Sequence, residues 1–256
     1  MREGRELLSL LQSANRSARA LPPLEADTID LLTGYYIQFH GLQQRTAMGE
    51  QLTGWKVAFA SRAAQTRFGI REPVFGGLTN AMAVEAGSSV LLAQLIQPKL
   101  EVELAFVMGQ TLLPGEYRDE DILAAVSEIA PAFEIADCRW QDWQFGVGAF
   151  LADNAAAALY CLGERVPFDP LQHACLTYSL EHEGKPCGSG NTAEREDMPV
   201  INLFWLIRRL LADGHGIEAG QVILSGSLLQ PQGIMAGEYR LHMLGTELAL
   251  VFEEEH

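Results

Sequence analysis

Leucines recur at helical spacing at the start of the chain. "GRELLSLLQSANRSARA" predicts a helix that ends before Pro22-Pro23, and "EADTIDLLTGYYIQFHGLQQRTAMGE" predicts a second one, capped by Asp27 or Thr28. From "GWKVAFA" onward the pattern shortens to strand-like runs separated by Gly and Pro: "SSVLLA", "KLEVELAFVM", "IAPAFEIAD", "AAALYCLGE", "CLTYSLEHEGKPCGSG", "GQVILSG", "YRLHMLG" and "TELALVFEE". One long amphipathic stretch interrupts them. "PVINLFWLIRRLLADGHG" opens with Pro199 in its first turn and stops at Gly214 or Gly216. The sum is an α+β chain without regular βαβ alternation, divided into an N-terminal helical segment, residues 1–53, and a β-rich functional unit, residues 54–256.

Within this pattern "PKLEVELAFV" holds a conflict. Leu100, Val102, Leu104 and Phe106 share one face of a strand, and Lys99, Glu101, Glu103 and Ala105 share the other. Side chains two apart stand roughly 6.8 Å from each other along a strand, so the two carboxylates can converge on one point. Buried and ionised together without a positive partner they would be costly. The plainer alternative is an amphipathic strand whose polar face meets water. Glu134, in "PAFEIAD", repeats the theme in a second apolar run, with small Ala132 and Ala136 as same-face neighbours. Three such glutamates suit a hard divalent cation, Mg²⁺ or Mn²⁺, which prefers oxygen ligands and keeps positions open for water or substrate.

The remaining composition narrows the choice. The 256 residues carry 18 basic and 33 acidic side chains, a net charge of -15, which argues against a nucleic-acid partner. No run has the length to span a bilayer, and the opening apolar stretch is too short for a signal-peptide core, so a cytoplasmic setting is expected. Cys138, Cys161, Cys175 and Cys187 form no CxxC pair and read as scattered thiols. His40, His173, His182, His215, His242 and His256 show no metal-ligand spacing. "GSGNTAE" lacks the context of a phosphate loop and reads as a flexible turn, and no G-x-S-x-G elbow occurs.

Taken in order, "GWKVAFASRAAQTRFGI", "FGGLTNAM", "QPKLEVELAFVMG", "PAFEIADCRWQDW", "LADNAAAALYCLG" and "VILSGSL" resemble the 2-oxopent-4-enoate hydratase and 4-oxalocrotonate decarboxylase family of aromatic meta-cleavage pathways. The E-x-E followed about thirty residues later by P-A-x-E-I-x-D is the specific part. The resemblance implies a fumarylacetoacetate hydrolase-like mixed β-roll and a Mg²⁺ or Mn²⁺ site at Glu101, Glu103 and Glu134. It also implies a small 2-hydroxydienoate or 2-oxo acid substrate whose carboxylate and 2-oxygen meet a Lewis-acidic cation. Lys56 matches the family's G-x-K segment. Its implied role is to donate to the substrate oxygen or shuttle a proton, with its pKa lowered by burial beside the cation; a strand lysine snorkelling to solvent is the alternative. Asp153 matches an A-D-N element and is the candidate for positioning water or orienting a ligand, with a loop cap as the alternative. Asp137 and Arg139 are expected to pair with each other.

The chain departs from that pattern at three places. Ala155 to Ala158 supply no hydroxyl where relatives have serines, Asn80-Ala81 stands where an acid is common, and "GSGNTAE" replaces the usual G-x-G-A-A text. The leading expectation is a hydratase that adds water to a short 2-hydroxy-2,4-dienoate to give a 4-hydroxy-2-oxo acid. A 4-oxalocrotonate-type decarboxylase or an acylpyruvate-type hydrolase on the same fold is the alternative, though no well-placed His-Glu pair supports the hydrolase. A non-catalytic partner subunit is a third reading. Homo-oligomers are expected, with possible association with a paralogous decarboxylase or a downstream aldolase.

Overall fold

The computed structural model describes residues 2–25 and 28–254, so the expected cap Asp27 and His256 lie outside the described residues. Helix α1 (Arg2–Ser17) and helix α2 (Leu31–Ala47) form the N-terminal segment. The N-cap of α2 is Asp30, whose side chain accepts from Thr33 N at 2.7 Å, and not Thr28; the cap sits on the residue immediately before the apolar repeat begins.

There follow β1 (Leu52–Ala58), α3 (Arg62–Phe68), β2 (Val74–Thr79), β3 (Ala83–Val84), β4 (Ser89–Leu91) and β5 (Lys99–Met108). Next come α4 (Asp119–Ala125), β6 (Val126–Ala136), α5 (Val147–Ala152), β7 (Ala157–Leu162) and β8 (Val166–Pro167). The chain continues through β9 (Thr177–His182), β10 (Lys185–Asn191), α6 (Pro199–Ala212), β11 (Val222–Leu224), β12 (Gln232–Gly233), β13 (Gly237–Met243) and β14 (Thr246–Glu253). "GSGNTAE" is therefore no flexible turn: its first four residues pair in β10 against β9, and the rest form a short 3₁₀ turn.

Two mixed sheets result, as the resemblance implies. The larger runs β2-β1-β11-β5-β6-β7-β3, with β12 added to β5 and β8 to β6, and the smaller runs β10-β9-β13-β14-β4. Strand β5 is buried on both faces from Val102 onward because both are covered. Leu100, Val102, Leu104 and Phe106 enter the main core with Leu203, Leu206, Ile207 and Leu210 of α6 and with Leu241 and Leu250 of the smaller sheet. Ala105 and Val107 join Ala130, Ala132, Tyr160 and Leu224 in a second cluster on the other face.

Helix α6 begins at Pro199, which fits a first turn with no hydrogen bond to lose, and its last turn is closed by Gly214 at φ +84°. Its buried stripe is what ties it to the sheet: Leu206→Ala would cost about 2–5 kcal/mol through lost transfer energy and a cavity. No helix among the described residues is long and apolar enough to cross a membrane.

Candidate metal centre and active-site cleft

Antiparallel register builds the centre. In the β5–β6 ladder Glu101 stands directly opposite Glu134, and Glu103 opposite Ala132, so the three acids fall on one face and the small alanine leaves room between them. One oxygen from each carboxylate lies within 4.8 Å of the other two. Glu103 and Glu134 are fully buried, which rules out a polar strand face meeting water.

Lys56 is only 2% exposed. It reaches past β11 and β5 to place Nζ 2.6 Å from Glu134 Oε1. Both partners are buried, so the contact is a desolvated ion pair. Glu103 Oε2 accepts from Gly226 N at 2.7 Å, and Gly226 has φ +91°, a conformation that glycine adopts without steric cost.

The electrostatics reflect three acids around one base. Desolvation of Glu101, followed by the charge of Glu134, pushes its carboxyl up to about 7. Burial, then Glu134 and Glu101, raises Glu103 well above the usual carboxylate range. Burial works to lower the Lys56 pKa, but Glu134, Glu101 and Glu103 outweigh it and the net shift is upward. Without a cation among the carboxylates, the lysine faces more negative charge than burial can offset.

The donor set fits a hard divalent cation. Glu103 Oε1 and Glu134 Oε2 are buried with no hydrogen-bond partner, and Glu134 Oε1 meets only the Lys56 ammonium. Buried carboxylate oxygens left without donors are what an oxygen-ligated cation would satisfy.

Above the centre opens a cleft of about 590 Å³, lined by Lys56 and Glu101 at its floor and by Phe59, Phe150, Ala155 and Ala156 along one side. The alanines lie in a turn held at an uncommon geometry: Asn154, Ala155 and Ala156 have φ of +52°, +52° and +58°. Asn154 exchanges two hydrogen bonds with the backbone of Gly77, at 2.8 and 2.9 Å, which pins the turn to β2. Gly76 permits the approach, since a Cβ there would stand 2.5 Å from the Asn154 carbonyl oxygen. The A-D-N-A-A text thus shapes the cleft wall through its backbone.

Asp153 does not line this cleft. Its carboxylate pairs with Arg139 and accepts Arg139 N at 2.9 Å, facing a separate cavity beneath α1 and α2. Burial pushes its carboxyl up to about 6, with the Arg139 charge pulling the other way. The expected Asp137–Arg139 side-chain pair is likewise corrected: Asp137 instead receives the amides of Ile96 and Gln97 at 2.8 and 2.7 Å. Arg139 touches Asp137 only through that residue's backbone oxygen, donating to it at 2.5 Å. Asn80 is exposed and receives Gln51 N at 2.9 Å, away from the cleft lining. Among the described residues no histidine lines the cleft.

Arg195 and Asp197 are among the cleft residues that local pattern does not reveal. Arg195 donates to the Ser227 and Leu228 carbonyls and pairs with Asp197 at 2.9 Å, at the rim beside Gly226. The charge-dense "EREDMP" was the available signal.

The fold is that of fumarylacetoacetate hydrolase-like proteins. Over 235 residues the chain is 38% identical to the 2-hydroxyhexa-2,4-dienoate hydratase of Comamonas testosteroni, a match covering 89% of this chain and 88% of the relative. It is 33% identical over 240 residues to a 2-keto-4-pentenoate hydratase of Burkholderia vietnamiensis, covering 92% and 91%. The chain belongs to the 2-keto-4-pentenoate hydratase family, whose members are hydro-lyases. Among solved structures it resembles 4-oxalocrotonate decarboxylase from Pseudomonas putida G7, complexed with magnesium and adipate, at a TM-score of 0.89 and 23% identity over 99% of this chain and 98% of that one. Fumarylpyruvate hydrolase from Pseudomonas aeruginosa, in complex with Mn²⁺ and pyruvate, aligns at a TM-score of 0.60 and 15% identity, covering 78% and 89%. No family model matches the chain.

Proposed function

We propose that this protein hydrates a 2-hydroxy-2,4-dienoate to a 4-hydroxy-2-oxo acid in aromatic catabolism, with Glu101, Glu103 and Glu134 holding Mg²⁺ or Mn²⁺. The observation that carries this reading is the convergence of three carboxylates, two of them with unsatisfied buried oxygens, behind an open cleft that Glu101 and Lys56 line. The bound cation supplies Lewis acidity toward the carboxylate and 2-oxygen of the substrate.

The chain's own residues supply the rest. Hydration needs a proton delivered to C5 of the dienol and water admitted to C4. Lys56 lies on the cleft floor paired with Glu134, placed to hold a proton at Nζ. There it donates to the developing charge on the substrate oxygen or passes its proton onward. Glu134 orients that ammonium through their ion pair. The turn with Ala155 and Ala156 closes one side without offering a competing hydrogen-bond donor. Asp153 acts in this reading by position: with Arg139 it ties the end of β6 to the turn that carries those alanines.

Assembly into homo-oligomers, a cytoplasmic setting and association with a paralogous decarboxylase or an aldolase belong to the same proposal. Light scattering of the purified protein, alone and with such enzymes, tests the assembly. The reaction is tested by following ¹⁸O uptake from labelled water into the product from 2-hydroxypenta-2,4-dienoate.

A further inference from the structure

Four phenylalanines from two distant stretches of the chain meet on one side of the cleft. Phe59 follows β1, Phe68 closes α3, Phe145 precedes α5 and Phe150 lies within it. Their rings form a closed cycle of near-parallel contacts. Centroids are 4.3 Å apart for Phe59–Phe68, 4.5 Å for Phe59–Phe150, 4.8 Å for Phe145–Phe150 and 5.4 Å for Phe68–Phe145, with interplanar angles of 18°, 24°, 25° and 13°.

Core packing alone does not account for this arrangement. Phe59, Phe68 and Phe145 remain partly exposed, all four rings line the cleft, and Phe59 sits at φ +54°. A bulky side chain held in the left-handed region stores backbone strain, which structures tolerate where a group must be aimed at a site. The wall also starts close to the chemistry: the Phe150 ring centroid is 5.9 Å from Lys56 Nζ. Ala155 and Ala156 border the same space and add no polar group. The nearby cations keep to aromatic faces, with Arg67 5.4 Å from the Phe68 ring and Lys99 4.1 Å from the Trp143 ring. Lys99 further faces Glu101, partly opposing the rise in its pKa that burial causes.

We infer that Phe59, Phe68, Phe145 and Phe150 form a tail subsite that selects 2-hydroxydienoates carrying an alkyl substituent at C5 over the unsubstituted five-carbon acid. The inference rests on the hydratase reading for the identity of the head group. An acid anchored by its head at the cleft floor points its tail along this wall, and an alkyl chain there removes apolar ring surface from water. The cleft of about 590 Å³ has room beyond a five-carbon acid.

The test uses Mn²⁺-loaded full-length protein and three substrates: 2-hydroxypenta-, 2-hydroxyhexa- and 2-hydroxyocta-2,4-dienoate. kcat/KM should rise by about tenfold or more across the series, the discrimination expected when added methylenes fill an apolar site. Phe68→Ser and Phe145→Ser, at partly exposed positions, should each compress that ratio to about threefold or less, the loss expected when an apolar contact is removed. Affinity for the unreactive acids 2-oxobutanoate and 2-oxooctanoate, measured by calorimetry, should follow the same order. Equal kcat/KM across the series, or a ratio unchanged in both variants, overturns the subsite while leaving hydration intact. Tail-dependent binding without turnover of any dienoate sustains the subsite and overturns the hydratase reading.

Discussion

The ammonium of Lys56 lies 2.6 Å from Glu134 Oε1, with both side chains buried on the same side of the larger sheet. One base thus faces three acids, and removing it has two separable consequences. Lys56→Met keeps the length of the side chain and removes its charge. Turnover should fall by about 10²–10⁴-fold, the range for a lost general acid or base. Affinity for Mn²⁺ should hold or tighten, because a competing cation has left the carboxylates. Steady-state kinetics beside calorimetric titration separates the two effects; a wild-type kcat would leave Lys56 a purely structural partner of Glu134.

Replacing Glu101, Glu103 and Glu134 together with Gln should abolish specific Mn²⁺ and Mg²⁺ binding, since neutral amides are poor ligands for a hard cation. The thermal shift that Mn²⁺ confers on the wild type, expected from mass action, should vanish with it. An unchanged calorimetric affinity in the triple variant would place the cation elsewhere. Chelation of the wild type should remove activity, and added Mn²⁺ or Mg²⁺ should restore it.

Asp153→Ala should destabilise the fold by about 3–5 kcal/mol, the cost of leaving a buried cation without its partner. Arg139 is 5% exposed and would lose the carboxylate while keeping its charge. Urea denaturation gives the loss directly. A variant of wild-type stability and no turnover would instead argue for a direct chemical role.

Much of this architecture is legible in the sequence, for local reasons. Alternation in "KLEVELAFVM" gives the limits of β5 and the shared face of Glu101 and Glu103. The periodic text from Pro199 gives α6, and an apolar run around Glu134 gives β6. Long-range placement is where local pattern fails. The partner of Arg139 depends on where the end of α5 lands, fourteen positions away, so the nearer Asp137 was the natural expectation and Asp153 is the observed one. The phenylalanine wall has no period to betray it, because its rings arrive from two distant stretches, residues 59–68 and 145–150. "GSGNTAE" has turn-like composition yet pairs as a strand because β9 presents a ladder to it.

Thiol reactivity should divide the cysteines. Burial pushes both the Cys138 and the Cys161 thiols up to about 12, so at neutral pH they hold almost no thiolate. Cys175 is exposed and Cys187 partly so. A disulfide-exchange reagent should label Cys175 first and Cys187 next, and reach the other pair only in denaturant, as peptide mapping would show. Rapid labelling of Cys138 in the native protein would contradict the packing around Trp140, whose amide approaches the Cys138 sulfur at 3.4 Å.

The central claim is that carboxylates, lysine and cleft together hydrate a dienoate and do not decarboxylate it. The most direct measurement offers 2-hydroxypenta-2,4-dienoate and 4-oxalocrotonate separately to the Mg²⁺-loaded protein in H₂¹⁸O, with mass spectrometry of the product and detection of released CO₂. The account predicts loss of the diene chromophore and one ¹⁸O at C4 of the monocarboxylate product, retained after the exchangeable 2-oxo oxygen has been washed out, without release of CO₂. Rapid CO₂ release from 4-oxalocrotonate, with no oxygen incorporated at C4 of the monocarboxylate, would contradict it.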